Sequence, residues 1–502
     1  MSPRRRLIIE RRRRYRPDRR NPLSPVPVLF VIGFLLVVVA AAMIPPMAIG
    51  LMDPRESWEP FAFSASITGF CGGALILACW RNDLSLSIRQ TFMLTTLAWL
   101  AVAFFGSLPF HFDVYRLSIT DGFFEAMSGL TTTGSTVLVG LDNAPPGLLL
   151  WRSLLQWMGG IGIIGMAIVI LPFLKVGGMQ LFQAERSDEA DKVYPRMTEV
   201  AASVCLIYVS LTVLCFVTLL ICGMPVFDSI NHALTTLSTG GFSTSDRSIG
   251  GFNLDFEWPI TIFMIAGALP FLRYVSAVRG DWRSLWQDSQ IRRFLQFLLL
   301  CTVMLALWMH LTLDYDFIAA VREASFNITS VVTTTGFVSA DYQQWGTFAV
   351  TLFMLLTFVG GCTGSTAGGI KIFRFQMLGL AFKGQMAHIV SPNRVIALRY
   401  QDRTVTPPLF VSVMGLLFLF LTTWLLFSLV LAAMGLDILT ATSGAATALA
   451  NVGPGLGPII GPAGNFSTLP DAAKWVLAVA MLLGRLEFFA VLVLLAPAFW
   501  RR

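Results

Sequence analysis

Charge is scarce in this chain. Asp, Glu, Lys and Arg make up 13% of its 502 residues, against roughly 25% in ordinary soluble proteins. A soluble fold would have to bury most of the apolar runs in one core behind a thin charged surface, and so few charges exclude it. Histidine is nearly absent: His111, His232, His310 and His388 are scattered and suggest no metal cluster. The seven cysteines (Cys71, Cys79, Cys205, Cys215, Cys222, Cys301 and Cys362) form no paired framework and no zinc-like spacing. Most sit inside apolar runs, where cysteine behaves as a small hydrophobe. No clustered nucleophile, base or metal set is visible, which argues against a membrane enzyme.

What is present is apolar length. Hydrophobic residues are 55% of the chain and mean hydropathy is +0.70. Many runs reach about 20 residues, enough for a helix to cross the hydrocarbon core. The chain therefore reads as an all-α integral membrane protein. The first span, Val26–Ile44, is too long for a cleaved signal peptide, and Pro45-Pro46 follows it instead of a small-residue cleavage site. A second span runs from about Phe61 to Trp80. The net charge of +7 is concentrated in residues 1–25, where Arg4, Arg5, Arg6, Arg11 to Arg14, Arg16, Arg19 and Arg20 crowd together. Ahead of an apolar span this reads as a topogenic cytoplasmic tail with affinity for anionic headgroups rather than a nucleic-acid arm.

After these two spans (residues 26–82) a unit repeats: span, short half-apolar run, glycine stretch, span. The units cover 89–178, 197–284, 290–388 and 405–502. Their glycine stretches are Thr131-Thr132-Thr133-Gly134-Ser135, Leu237-Ser238-Thr239-Gly240-Gly241, Thr333-Thr334-Thr335-Gly336-Phe337 and Ala450-Asn451-Val452-Gly453-Pro454. Two full spans per unit mean that every unit starts on the same side. Four units can then stand in parallel around one axis, giving a pseudo-fourfold pore. The loops holding the stretches carry Asp113, Asp121, Glu125, Asp142, Asp228, Asp246, Asp255, Glu257, Asp314, Asp316, Glu323, Asp341, Asp437 and Asp471. The opposite loops are rich in Arg and Lys, so the stretches face outside beneath an acidic vestibule.

Glycine permits the dihedrals that turn carbonyls inward. Uncovered backbone at membrane depth is tolerated only where it lines a cavity or is buried in protein. Each short run ends at its glycine stretch, so four helix C-termini with partial negative charge aim at one place, favouring a cation. Inward carbonyls replace the hydration shell of an ion. Gly160-x-Gly162-x-x-Gly165 matches a dinucleotide fingerprint literally, but it lies inside an apolar span and reads as helix packing.

The four stretches, with Trp157-Met158-Gly159-Gly160-Ile161-Gly162, the run Gly360 to Lys371 and Gly484-Arg485-Leu486-Glu487, resemble the TrkH-type pore subunits of the Trk/Ktr/HKT superfamily of potassium transporters. The resemblance covers the chain from Phe30 to its end, and the two extra N-terminal spans resemble the TrkH type rather than the shorter KtrB type. It implies K+ sites lined by carbonyls of Thr132, Thr133, Ser238, Thr239, Thr334, Thr335, Asn451 and Val452, beside Gly134, Gly240, Gly336 and Gly453. Gly134, where sodium-transporting plant relatives carry serine, implies potassium preference. Asn451-Val452 in place of a hydroxylated pair makes the fourth copy the weakest match.

Five glycines in the ten residues 360–369 will not hold a regular helix well. The family implies that this loop (Gly360, Gly361, Thr363, Gly364, Ser365, Thr366, Gly368 and Gly369) is an intramembrane gate; close packing through small residues is the competing reading. No Gly-Lys-[Ser/Thr] ending exists, so it is not a nucleotide loop. Arg485 and Glu487 sit inside the last span, where charge is functional by default. The family implies that Arg485 projects into the pore under the filter. Residues two apart do not face each other on a helix, so a local Arg485–Glu487 pair is not expected.

The resemblance further implies a homodimer, a separate cytoplasmic ring subunit of TrkA type that binds NAD or ATP, and residence in the bacterial inner membrane with the N-terminus cytoplasmic. K+ is the transported ion, and no organic cofactor is expected in the chain. Passive conduction and proton-coupled symport both remain open. The alternative is a Na+- or H+-coupled secondary transporter of another solute, which predicts intramembrane carboxylates on broken helices; these are scarce.

Overall fold

The computed structural model describes residues 24–52, 57–80, 86–169, 197–393, 398–401, 403–405 and 407–501. The Arg-rich tail through residue 23, Arg81, Asp83 and the mixed stretch 170–196 lie outside the described residues. Among the described residues the chain is helical apart from an antiparallel pair of two-residue strands, Arg399–Tyr400 with Arg403–Thr404, and a single bridge between Val359 and Ile370. Seven helices there are long and apolar enough to cross a membrane.

The N-terminal hairpin pairs α1 (Val26–Ala42), continued by α2 (Ile44–Met52), with α3 (Glu59–Ala78). Small residues set the distance between the two spans. A Cβ on Gly33 would lie 2.8 Å from the Gly72 carbonyl oxygen, and one on Gly72 would lie 2.8 Å from that of Gly33. Backbones this close gain packing that no larger side chain permits.

The remainder is built of four like groups. The first is α4 (Ile88–Gly106), α5 (Ile119–Leu130) and α6 (Pro146–Val169). The second is α7 (Met197–Ile221), α8 (Val226–Leu237) and the bent pair α9 (Glu257–Ala268) and α10 (Phe271–Val278). The third is α11 (Ser289–Leu313), α12 (Phe317–Val332), α13 (Thr347–Leu356) and α14 (Ile372–Val390). The fourth is α15 (Pro407–Ala433), α16 (Ile438–Ala450), α17 (Asp471–Arg485) and α18 (Phe489–Leu495).

The short second helices, α5, α8, α12 and α16, have 12, 12, 16 and 13 residues. At 1.5 Å per residue none can cross a core of about 30 Å. Each begins with an aspartate at its cap or in its first turn: Asp121, Asp228, Asp316 and Asp437. A carboxylate there answers the unsatisfied N–H groups and the positive end of the helix dipole. The last two turns of these helices are buried, whereas the long outer helices leave Leu206, Leu214, Ile221, Leu311, Phe418 and Leu429 exposed to the bilayer.

Three inner helices are interrupted, the third where glycine density predicts it and the second and fourth against the sequence expectation of uninterrupted spans. The second turns by 94° between Ala268 and Phe271, and the fourth by 113° between Arg485 and Phe489. The third is not helical between Leu356 and Ile372. Pro270 explains the first break, since it lacks the N–H that would continue the ladder. The carbonyls freed there are answered by the third group: Cys362 N–H donates to Ala268 O at 3.0 Å and Thr366 N–H to Gly267 O at 3.3 Å. In the fourth helix Glu487 and Phe488 take φ of 54° and 56°. Neither residue type announces a left-handed turn, so this break had no signal in the sequence. Only the first group keeps an inner helix unbroken through residue 169.

Replacing Gly72 with leucine should force α1 and α3 apart and lower stability by about 1–3 kcal/mol, the usual cost of overpacking. Thermal unfolding of the detergent-solubilised protein measures it; an unchanged midpoint would mean the two spans do not meet at this point.

Candidate functional site: a closed ring of four glycine stretches

The four short helices end in the same backbone sequence of events. A hydroxyl just past the helix bonds back into it: Thr131 Oγ1 to Met127 O at 2.7 Å, Ser238 Oγ to Leu234 O at 2.8 Å and Thr333 Oγ1 to Thr329 O at 2.7 Å. The next residue is left-handed, with φ of 52° at Thr132, 51° at Thr239, 57° at Thr334 and 57° at Asn451. The N–H after it folds back onto the helix: Thr133 to Ser128 O, Gly240 to Thr235 O, Thr335 to Ser330 O and Val452 to Thr447 O, all between 2.8 and 3.0 Å. One residue later comes a left-handed glycine: Gly134, Gly241, Gly336 and Gly453, with φ of 84°, 78°, 81° and 112°.

This pattern corrects the register of the second copy. Ser238, Thr239 and Gly240 were aligned with Thr132, Thr133 and Gly134. The structure instead aligns Thr239, Gly240 and Gly241 with them, and Ser238 with Thr131. The Gly240-Gly241 doublet offered two alignments, and only the helix end decides between them. The fourth copy is also better adapted than its composition suggests. A left-handed backbone costs a β-branched residue about 1–2 kcal/mol, whereas asparagine visits that region readily. Asn451 also donates from Nδ2 to Thr133 Oγ1 at 3.0 Å and to Met481 O at 2.9 Å, tying the fourth stretch to the first.

The glycines close the ring. A Cβ on Gly134 would lie 2.3 Å from Gly240 O, on Gly241 1.9 Å from Thr335 O, on Gly336 2.0 Å from Val452 O, and on Gly453 2.7 Å from Thr133 O. Stretch one thus meets two, two meets three, three meets four and four meets one, each by backbone that tolerates no side chain. Gln156, on α6, braces the second stretch by donating from Nε2 to Gly240 O at 2.6 Å and accepting from Phe242 N–H at 3.0 Å.

On one side of the ring a cavity of about 70 Å³ is lined by Gly134, Ser135, Gly241, Gly336, Gly453 and Asp246 among others. Most of the carboxylates assigned to an acidic vestibule do other work. Glu125 is fully buried, 2.9 Å from Arg152 Nε, and accepts from Thr136 Oγ1 and Val137 N–H. Arg152 donates to Ser243 O at 3.0 Å and lies 4.0 Å over the Phe242 ring. Lys474 is 2.6 Å from Asp121, and Arg322 is 3.2 Å from Glu257. Asp316, Asp341 and Asp437 cap helical turns. The expected vestibule reduces at the ring to Asp246, whose carboxylate accepts from Gly140 and Leu141 N–H. Helix capping accounts for much of the carboxylate surplus.

On the other side, the loop between α13 and α14 lies against the ring. Thr366 Oγ1 donates to Gly267 O at 2.9 Å and sits 3.2 Å from Thr239 Oγ1, and Gly368 N–H donates to Thr334 Oγ1 at 2.6 Å. Gly360 N–H donates to Ile370 O and Ile370 N–H to Phe358 O, pinching the loop at its base. Thr363 N–H donates to Gln290 Oε1, and Ser365 Oγ to Cys362 O. Gly361 packs against Ala268 and Ala367, and Gly364 and Gly369 are left-handed. Arg485 is buried and donates from Nη1 to Thr366 O at 2.8 Å, while its Nε and Nη2 have no protein partner. A cavity of about 40 Å³ there is lined by Thr363, Gly364, Ser365, Gly368, Lys371 and Arg485 among others. Glu487 pairs with Arg374 at 2.7 Å, not with Arg485.

Sequence reasoning missed Gln156, Arg152, Lys371 and Arg374 as parts of this site. Arg152 carries a signal, because a charge at membrane depth demands a partner. Among the described residues no group of three or more His, Cys, Asp or Glu could hold a metal ion.

A membrane-spanning helical protein with buried, glycine-lined backbone converging from four sides defines a transporter or channel for a small ion. The chain belongs to the TrkH family of cation transport proteins, which it matches over residues 61–502. It is 44% identical to the potassium uptake protein TrkI of Halomonas elongata over 95% of this chain and 97% of that one. It is 37% identical to the potassium uptake protein TrkH of Salmonella typhimurium, over 94% of this chain and 98% of the relative. The crystal structure of the potassium transporter TrkH from Vibrio parahaemolyticus superposes with a TM-score of 0.87 at 34% identity, covering 95% of this chain and all of that one.

Removing one partner of the buried Glu125–Arg152 pair leaves an uncompensated charge. Glu125→Ala should therefore destabilise the protein by about 3–5 kcal/mol, while Asp142→Ala, on the outer surface, should change little. Unfolding midpoints of the two variants in one detergent check this.

Proposed function

We propose that this chain is the pore subunit of a Trk-type potassium uptake system, conducting K+ through the ring of four stretches. The observation that carries the reading is the closed sequence of backbone contacts from Gly134 through Gly241, Gly336 and Gly453 back to Thr133. Four helix C-termini end at that ring, and their partial negative charge favours a cation and disfavours an anion. Carbonyls of Thr132, Thr133, Thr239, Thr334, Thr335, Asn451 and Val452 replace the hydration shell. The family is one of ion transporters and not of enzymes, and relatives named as potassium uptake proteins match along nearly the whole chain.

The loop 360–369 is the gate. It lies against the ring and is held by hydroxyl and main-chain bonds that a rearrangement can exchange. Arg485 beneath it raises an electrostatic barrier to cations. The protein is a homodimer in the bacterial inner membrane, with its Arg-rich N-terminus cytoplasmic. A separate cytoplasmic nucleotide-binding ring of TrkA type regulates it; the "Trk system" in the relatives' names supports a multi-component assembly. The four groups of helices are the pore repeats, at 89–178, 197–284, 290–388 and 405–502, preceded by the N-terminal hairpin at 26–82.

Uptake of 86Rb+ in cells lacking potassium transport tests the function; no uptake with the protein folded and its partner present overturns it. Gly134→Ser, which places a side chain against Gly240 O, should weaken discrimination of K+ over Na+, measured as the ratio of the two fluxes. Unchanged discrimination would remove the first stretch from the filter. Arg485→Ala should raise the basal flux, and an unchanged flux would return Arg485 to a packing role.

A further inference from the structure

A groove lies away from the ring. It has a volume of about 600 Å³, between α11, α14 and the small strand pair. It opens at the start of α11, the end opposite the one from which α12 enters, so it faces the side away from the ring's Asp246 cavity. Its lining includes three cations, Arg293, Lys383 and Arg399, and no carboxylate. All three are exposed, and among the described residues none has a carboxylate within ion-pair distance.

The groove is layered along α11 and α14. Arg293 stands at the start of the second turn of α11 and Phe297 one turn deeper, about 6 Å along the axis. On α14, Lys383 lies toward the inner end, with Phe375 and Ile372 deeper. A polar floor is already built: Tyr400 Oη donates to Gln376 Oε1 at 2.8 Å, and Gln376 Nε2 donates to Ser289 O at 2.9 Å. Charge at the mouth, hydrogen-bonding groups beside it and aromatic and aliphatic walls below match the headgroup and chains of one amphiphile. Basic pockets between spans on the inner leaflet side attract anionic lipid.

We propose that this groove binds an anionic phospholipid, its phosphate held by Arg293, Lys383 and Arg399 and its acyl chain lying against Phe297, Phe375 and Ile372. The deep wall includes Val359, which bridges to Ile370 at the base of the loop, and Ile372, whose N–H donates to Gly361 O. An acyl chain there restrains the base of that loop, so anionic lipid sets the ease of gating. The gating consequence rests on the potassium-pore reading; the binding does not.

The test begins with retention of phosphatidylglycerol against phosphatidylcholine by the purified full-length protein, read by native mass spectrometry. Each cation is worth roughly fivefold, so Arg293→Gln/Lys383→Gln/Arg399→Gln should retain phosphatidylglycerol roughly a hundredfold more weakly. The control Arg283→Gln/Arg292→Gln, on the same face outside the groove, should retain it as the parent does. Equal retention by triple variant and parent overturns the proposal, as does equal retention of both lipids by the parent. Soluble glycerol phosphate displacing the lipid at matched concentration would make the groove a free-phosphate site and overturn it as well. In vesicles of phosphatidylcholine with and without phosphatidylglycerol, 86Rb+ flux through the parent should depend on the anionic lipid. Flux through the triple variant should not, and a parent flux indifferent to lipid removes the link to gating while the retention result stands by itself.

Discussion

The structure answers to one steric requirement: four backbone stretches must meet one another in a closed ring. No side chain fits between them. At Gly241 and Gly336 a single added carbon would stand about 2 Å from a neighbouring carbonyl oxygen, far inside contact distance. The same demand recurs one shell out. A Cβ on Gly159 would lie 1.8 Å from Leu130 O and one on Gly484 1.9 Å from Leu449 O, so the inner helices also press directly on the ends of the short helices. The bilayer supplies no water to satisfy loose backbone, so the short helices, their caps and the bracing side chains must complete every bond.

The ring is held by strained but over-determined geometry. Three of its four left-handed turns are made by threonine, a residue that resists that conformation. Such strain persists only where the surroundings leave no alternative. Here the hydroxyl before the turn, the N–H after it and the neighbour's glycine fix the chain on three sides. The hydroxyls are also put to use, since Thr239 and Thr334 meet the loop below through Thr366 and Gly368.

Much of this was legible in the sequence. Apolar run length gave the membrane class, and repetition of Thr-Gly stretches after short runs gave the four groups. Glycine density marked residues 360–369 as non-helical, and spacing ruled out an Arg485–Glu487 pair. The misses have physical causes. The Gly240-Gly241 doublet satisfied two registers, and only the hydrogen bonds at the end of α8 choose between them. Asn451 departs from the other copies in side-chain chemistry, whereas the position selects for backbone conformation. The bend at Glu487 and Phe488 is imposed by tertiary packing on residues with no local preference for it. The carboxylates of the outer loops looked like a field for cations, but capping and ion pairing are local demands that composition does not separate from a vestibule.

The structure also divides what must stay fixed from what can move. The first group has the unbroken inner helix, and it contributes Gln156, Arg152 and Gly159, all of which hold the ring from behind. The other three inner helices break below the ring, and there the loop 360–369 and Arg485 approach the axis. The ring is fixed by main-chain contact with no slack, so displacing one stretch disturbs its neighbours. The loop is held by main-chain bonds to Ala268 O, Gly267 O and Phe271 N–H, and by the side chains of Thr239, Thr334, Gln290 and Arg485. The loop joins the ring through both kinds of tie: discrete hydrogen bonds, and close backbone approach where a Cβ on Gly368 would lie 2.3 Å from Ala450 O.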